Sequence, residues 1–207
     1  MSSTRIVAAA LAAFLTGAWA VVQLRSDPET SLTDATAADA VPDQPSTTNR
    51  PVLTAAPENF GPVPELTDLD GWLQTDEDAF ADVRGDVTIL QFWTYSCYNC
   101  TNTIPHLQDI YAAHRDEGLE IIGVHAPEFE REKDPVGIQA AAERLGVTWP
   151  IALDTEKRNF RSWQGSRRFW PRTYVIDQNG DIRFDKIGEG KYAELEATVA
   201  YLLENGA

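Results

Sequence analysis

With 207 residues, 43% of them apolar and including six Trp, eight Phe and six Tyr, the chain is long enough to bury one substantial core but not two full domains. Its net charge of −15 argues against nucleic acid or an anionic membrane surface as partner and suits a soluble, exported protein. With two cysteines only, a multi-bridge disulfide scaffold is excluded.

In chain order, the first feature is the uncharged run from Ile6 to Leu24, which follows Arg5. It predicts a hydrophobic helix over residues 1–24, acting as a signal peptide or a signal anchor, and either puts the rest of the chain outside the cytoplasm. Ala18-Trp19-Ala20 has the small-x-small form of a cleavage site, yet the apolar run continues through Val21 and Val22 to near spanning length. The expectation is a single N-terminal membrane span through residues 6–24 with the domain on the extracytoplasmic (periplasmic) side, or a secreted protein if the segment is cleaved.

Residues 25–58 are rich in Pro, Ser, Thr, Ala and Asp and hold no aromatic side chain, so they predict a flexible, disordered linker. Such a tether has a mean reach of roughly 30 Å.

Residues 59–207 predict an α/β domain. Val87–Trp93 reads as a buried strand, followed by a helix from near Cys97 to about Arg115 with Ile104, Leu107 and Tyr111 on one face and a kink expected at Pro105. Leu119–His125 is a second buried strand. Asp134-Pro135 reads as an N-cap with proline at the first helical position, opening a helix that ends at Gly146. Trp149–Leu153 predicts a short strand. Thr173–Ile176 and Asp181–Phe184 flank Gln178-Asn179-Gly180, a hairpin signal, and Leu195, Val199 and Leu202 give a closing helix its apolar stripe.

Both cysteines fall in one Cys-x-x-Cys, Cys97 to Cys100, where the first strand gives way to the first helix. A helix N-terminus presents unpaired N–H groups and the positive end of the dipole, which favours a thiolate on the first cysteine. The pattern points to a redox-active disulfide in which Cys97 attacks and Cys100 resolves. An inert bridge is the alternative, but a four-residue loop constrains an unfolded chain little. Zinc would need a second ligand pair, which is missing, so neither metal nor cofactor is expected.

The run Phe92-Trp93-Thr94-Tyr95-Ser96-Cys97-Tyr98-Asn99-Cys100 with Pro105, then Gly123-Val124-His125-Ala126-Pro127-Glu128-Phe129, then Trp170-Pro171 and Gly188-Glu189-Gly190, resembles the thioredoxin superfamily. More narrowly, it resembles the redoxin-type C-terminal domain of DipZ-type proteins among the TlpA-like, membrane-associated thiol-disulfide oxidoreductases. The resemblance covers about Phe60 to Leu203. It implies a thioredoxin-like fold, a central mixed β-sheet flanked by helices, and exchange with protein disulfide or dithiol substrates, as a reductant. It also implies a CcdA-like membrane electron donor.

The resemblance further implies that Pro171 is the cis-proline beside the dithiol, with Trp170 beside it on the substrate surface and Trp93 packing next to the site. An ordinary turn proline and simple core packing are the alternatives for Pro171 and Trp93. Tyr98 and Asn99 fill the dipeptide between the cysteines, where they tune the thiolate and face the substrate. Thioredoxin carries a buried acid where this chain has Gln91, and Glu128 is the candidate replacement as proton carrier for Cys100. A carboxyl in a partly apolar pocket there would have a raised pKa; a solvated surface acid is the alternative. His125 is read as a hydrogen-bonded strand end.

Two other functions fit parts of the pattern. A thiol peroxidase would use Thr94-x-x-Cys97, but the proline expected seven residues before the cysteine is Leu90. A Sco-like copper assembly module would pair two cysteines with a distant histidine such as His125, but it needs three residues between the cysteines.

Overall fold

The computed structural model describes residues 52–77 and 80–206. The expected hydrophobic segment 6–24 and the linker as far as residue 51 lie outside the described residues. Among the described residues no helix is long and apolar enough to cross a membrane.

A six-stranded mixed sheet organises the domain. Its strands are β1 (Trp72–Leu73), β2 (Val87–Trp93), β3 (Leu119–His125), β4 (Ile151–Leu153), β5 (Arg172–Ile176) and β6 (Ile182–Ile187), in the spatial order β1-β4-β3-β2-β5-β6. β2 is central and buried along its whole length, which explains a run of apolar residues without polar alternation. It pairs in parallel with β3, Trp93 opposite His125, and antiparallel with β5, Phe92 opposite Arg172. Pro171 therefore enters the sheet at the same end at which β2 delivers the cysteines.

The helices are α1 (Phe80–Val83), α2 (Tyr98–His114), α3 (Pro135–Leu145), α4 (Arg158–Gln164) and α5 (Tyr192–Asn205). One side of the sheet packs Ile89 and Trp93 against Cys100, Ile104 and Leu107 of α2, Ile138 and Ala142 of α3, and Leu195, Val199 and Leu202 of α5. The other packs Leu90, Phe92, Ile122 and Val124 against Phe160 and Trp163 of α4. Burying each such Ile, Leu or Phe side chain stabilises the fold by about 1.5–3 kcal/mol.

Local signals account for most boundaries. Asp134 caps α3 by accepting from Val136 N–H at 3.1 Å, with Pro135 at the first helical position, and Gly146 ends it with φ 68°, a conformation that favours glycine. The hairpin turns at Gly180, φ 86°. α2 runs continuously through Pro105.

The sequence expectation omitted β1, α1 and α4. A two-residue strand has no periodicity to read, and β1 exists by pairing with β4, Trp72 opposite Ala152. Ahead of β1 the chain lies along β6: the carbonyls of Pro57 and Glu58 accept from the Arg183 side chain at 2.9 and 3.3 Å, and Phe60 N–H donates to the Ile182 carbonyl at 2.8 Å.

Candidate active site

The dithiol sits where β2 ends and α2 begins. Cys97 is the N-cap of α2 with extended backbone, φ −75° and ψ 113°, and its Sγ accepts from the Cys100 N–H at 3.2 Å. Cys97 and Cys100 are joined as a disulfide. Cys97 is partly exposed, Cys100 is fully buried, and Tyr98 and Asn99 between them are exposed. The first turn of α2 contains no acidic side chain, so nothing on the helix opposes its dipole at Cys97. The accessible sulfur is thus the one favoured as a thiolate.

Trp170-Pro171 is a cis peptide bond. Pro171 is buried and its carbonyl accepts from Gly188 N–H at 2.8 Å, while Asn102 of α2 donates to Glu189 at 3.3 Å. The Gly188-Glu189-Gly190 loop thereby joins the proline to the helix that carries the dithiol. Trp170 donates its indole N–H to the Ala126 carbonyl at 3.0 Å and stacks on Phe160 with ring centroids 4.2 Å apart.

Trp93 lies in the same core cluster as Cys100, Cys97 and Trp170. Its ring meets His125 edge-on at 5.5 Å. Room for the indole comes from Gly123, where a Cβ would approach Trp93 Nε1 to 2.7 Å and Trp149 Nε1 to 3.3 Å.

Behind Cys100 the polar groups are neutral. Gln91, buried in β2, donates from Nε2 to Thr103 Oγ1 at 3.0 Å and Thr173 Oγ1 at 3.1 Å, and the Thr103 hydroxyl donates to the Cys100 carbonyl at 2.7 Å. The position where thioredoxin carries an acid here holds a bonded amide that neither gives nor takes a proton near neutral pH.

Beside Cys97 the chemistry is charged, and its centre is a residue the sequence reading passed over. Glu132 is fully buried. Its carboxylate accepts from the Ser96 hydroxyl and from the backbone N–H groups of Glu128 at 2.7 Å and Phe129 at 3.1 Å. Burial pushes this carboxyl up, but hydrogen bonds from Ser96, Thr94 and the two backbone groups outweigh it and hold the pKa below the usual carboxylate value. Glu132 is therefore a buried anion near neutral pH, one residue from Cys97 through Ser96.

His125 completes this side. It is buried, its Nε2 lies 3.3 Å from Thr94 Oγ1, and Tyr95 stacks over its ring at 5.7 Å. Desolvation brings its pKa down to about 4 despite the attraction of Glu132, so it is neutral at physiological pH. Thr94, the hydroxyl that a peroxidase reading would use, is itself fully buried against this histidine.

The partly apolar pocket expected around Glu128 is absent. Its side chain is exposed, because the chain leaves the sheet after His125 and the 3-10 turn Glu130–Glu132 follows, with Glu132 buried. The Glu128 backbone N–H donates to the Glu132 carboxylate. Six acids stand from 116 to 132, and composition does not distinguish the buried one. The available signal was Ser96 beside the cysteine, a hydroxyl in need of an acceptor.

Residues 62–185 match the family model of the AhpC/TSA family. The chain is 42% identical over 152 residues to protein DipZ of Mycobacterium tuberculosis, covering 72% of this chain and 21% of DipZ, so it spans about a fifth of that relative's length. It is 28% identical over 142 residues to the thiol-disulfide oxidoreductase YkuV of Bacillus subtilis, covering 69% of this chain and 94% of YkuV. The solution structure of a thioredoxin-like protein in the oxidised form superposes with a TM-score of 0.61 at 26% identity, over 71% of this chain and 97% of that one. With a disulfide-bonded Cys-x-x-Cys at a helix N-terminus on this fold, the chain belongs to the AhpC/TSA family and carries a thioredoxin-like, thiol-disulfide oxidoreductase domain.

Proposed function

We propose that the protein is an extracytoplasmic reductant of protein disulfides, with Cys97 as nucleophile and Cys100 as resolving cysteine. The observation that carries this reading is the asymmetry of the pair: Cys97 is partly exposed at the N-cap of α2, whereas Cys100 is buried.

In the reduced protein, the Cys97 thiolate attacks one sulfur of a substrate disulfide. A mixed disulfide forms, and the other substrate sulfur leaves as a thiolate that takes up a proton. Cys100 then loses its proton and attacks Cys97 Sγ, closing the Cys97–Cys100 bond and releasing the second substrate thiol. Two electrons pass to the substrate. Trp170, Pro171, Tyr98 and Asn99 form the surface over which the substrate chain lies, and Trp93 supports the dithiol from the core side.

The uncharged run 6–24 supports a membrane tether with the domain outside the cytoplasm. A membrane protein of the CcdA type then returns the oxidised pair to the dithiol. The competing peroxidase reading is weakened by Leu90, buried in β2 at the position where such enzymes place a proline.

The deciding measurement is the equilibrium reduction potential of the Cys97/Cys100 pair. A value near thioredoxin's, about −270 mV, is expected. A value near about −120 mV would make the protein a disulfide donor instead. Rapid turnover of hydrogen peroxide would favour the peroxidase.

A further inference from the structure

Positive charge in this acidic chain is concentrated beside the dithiol. Residues 157–172 carry Lys157, Arg158, Arg161, Arg167, Arg168 and Arg172, six of the 17 basic residues, and no acid, in a protein with 32 acidic residues. A stretch of this kind is most simply a solvated surface, but its placement is specific. It comprises α4 and the loop that runs directly into Trp170 and Pro171.

α4 is held to the site by Phe160 stacked on Trp170, and Lys157 Nζ stands 5.9 Å from the centre of the same Trp170 ring. Arg167, Arg168 and Phe169 are all exposed and lie immediately before Trp170. The register that sets Arg172 opposite Phe92 brings this loop to the end of the sheet where Cys97 emerges.

Among the described residues, most of this charge is not paired with a carboxylate. Arg172 pairs with Asp185. Arg158, Arg161 and Arg168, in contrast, donate to the carbonyls of Asp68, Glu156 and Gly165, which fix their side chains without neutralising them. The adjacent acid, Glu156, is engaged by Lys133 at 3.5 Å. Phe169, 51% exposed, adds an apolar anchor between the arginines and the cis-proline.

We infer that this surface is a docking site for substrate proteins whose disulfide is flanked by acidic residues. The inference rests on the oxidoreductase reading above and adds the class of substrate. Carboxylates of the substrate chain pair with Arg167 and Arg168 while its cystine lies over Cys97. Because the protein as a whole is strongly negative, its global field would repel such a partner. At about 0.1 M ionic strength, however, fields fade over about 10 Å, so the local arginines outweigh the distant acids.

The test uses the full chain, reduced beforehand, in single-turnover reactions with three disulfides. Two are cystine peptides matched in length, one flanked by Asp and Glu, the other by Lys and Arg; the third is neutral bis(2-hydroxyethyl) disulfide. At about 0.1 M salt the acidic peptide is expected to be reduced roughly tenfold faster than the basic one, a preference that falls towards unity near 1 M. In the R167E/R168E variant the preference is lost or inverted while the rate on the neutral disulfide is unchanged. Equal rates on the two peptides, or a preference that survives R167E/R168E, would overturn the docking site with the oxidoreductase reading intact. Failure to reduce even the neutral disulfide would strike at that reading itself.

Discussion

Two residues separate Cys97 from Cys100, yet the protein surrounds the two sulfurs with opposite chemistry. On the Cys100 side the buried polar groups are neutral: Gln91 of β2 donates to Thr103 of α2 and Thr173 of β5, and Thr103 donates to the Cys100 carbonyl. In the segment leading into Cys97, Ser96 donates to a buried carboxylate, Glu132, and Thr94 and Tyr95 contact a histidine kept neutral by burial, His125. The buried sulfur lies on the side where the described polar groups are a neutral amide and two hydroxyls. The other caps the helix N-terminus, and its neighbour Ser96 donates to a fixed anion. The helix N-terminus favours a thiolate on Cys97, while the Glu132 carboxylate is bonded to the neighbouring Ser96.

The largest effect expected from this asymmetry is chemical. Cys97→Ser should abolish disulfide reduction, by at least about a thousandfold. Cys100→Ser should instead accumulate a mixed disulfide with substrate, visible as a mass increase under non-reducing conditions, because the exposed thiolate still attacks and cannot be displaced. Equal trapping by both variants would show that the two sulfurs are interchangeable.

Next in size is the stability carried by the charged side. Glu132→Ala leaves Ser96 and two backbone N–H groups without an acceptor and should cost about 2–4 kcal/mol in denaturant unfolding at pH 7. Its folded pKa is depressed, so the carboxylate's contribution is present above its unfolded pKa of about 4.3 and is lost as pH falls through the folded value. His125 acts in a different window. Its folded pKa of about 4 lies below the unfolded value of about 6.5, so the unfolded chain takes the proton first and stability drops as pH falls from about 6.5 towards 4. That drop should reach roughly 3 kcal/mol and be absent in His125→Gln. An unchanged profile in that variant would mean that His125 titrates normally.

The neutral side can be broken by adding charge. Gln91→Glu places a carboxyl between Thr103 and Thr173 in a buried strand, where desolvation raises its pKa. A raised pKa reverses the sign: the cost appears as pH climbs above the unfolded value. The variant should match the wild type near pH 4 and be about 1–3 kcal/mol less stable at pH 8. Equal losses at both pH values would point to packing rather than charge.

The two sides differ also in how far they could be read from the sequence. Gln91 is visible because it interrupts an apolar strand, and its neighbours follow from register. β2, α2, β3, α3 and the hairpin carry local signals: a continuous apolar run, the Asp134-Pro135 cap, Gly146 and Gly180. Glu132 carries none. It lies among Glu128, Glu130 and Arg131, and its burial depends on a 3-10 turn folding back on Ser96 from 36 positions away in the chain. α4 is similarly silent, seven residues long and rich in arginine, with its burial supplied by Phe160 and Trp163 in the second core.

The smallest effect separates Glu132 from its neighbour Glu128. If a loop carboxyl passes the Cys100 proton to solvent, it must exchange protons within the working pH range and sit within reach of the sulfur. Glu132 fails the first demand: its hydrogen bonds hold it ionised, and its oxygens are already committed to Ser96 and two backbone N–H groups. Glu128 is exposed, where water screens it and competes for the proton. Glu128→Gln keeps the backbone N–H that Glu132 requires, so exchange rates should change less than about twofold, with the pH profile intact. A tenfold loss with a flattened profile would restore Glu128 as the proton carrier and require the loop to close over the dithiol during turnover. Glu128→Pro is the sharper companion, because it removes the N–H and leaves the carboxylate of Glu132 short of one donor. If the backbone rather than the side chain is what position 128 contributes, the proline variant should lower stability by about 1–3 kcal/mol while the glutamine variant does not.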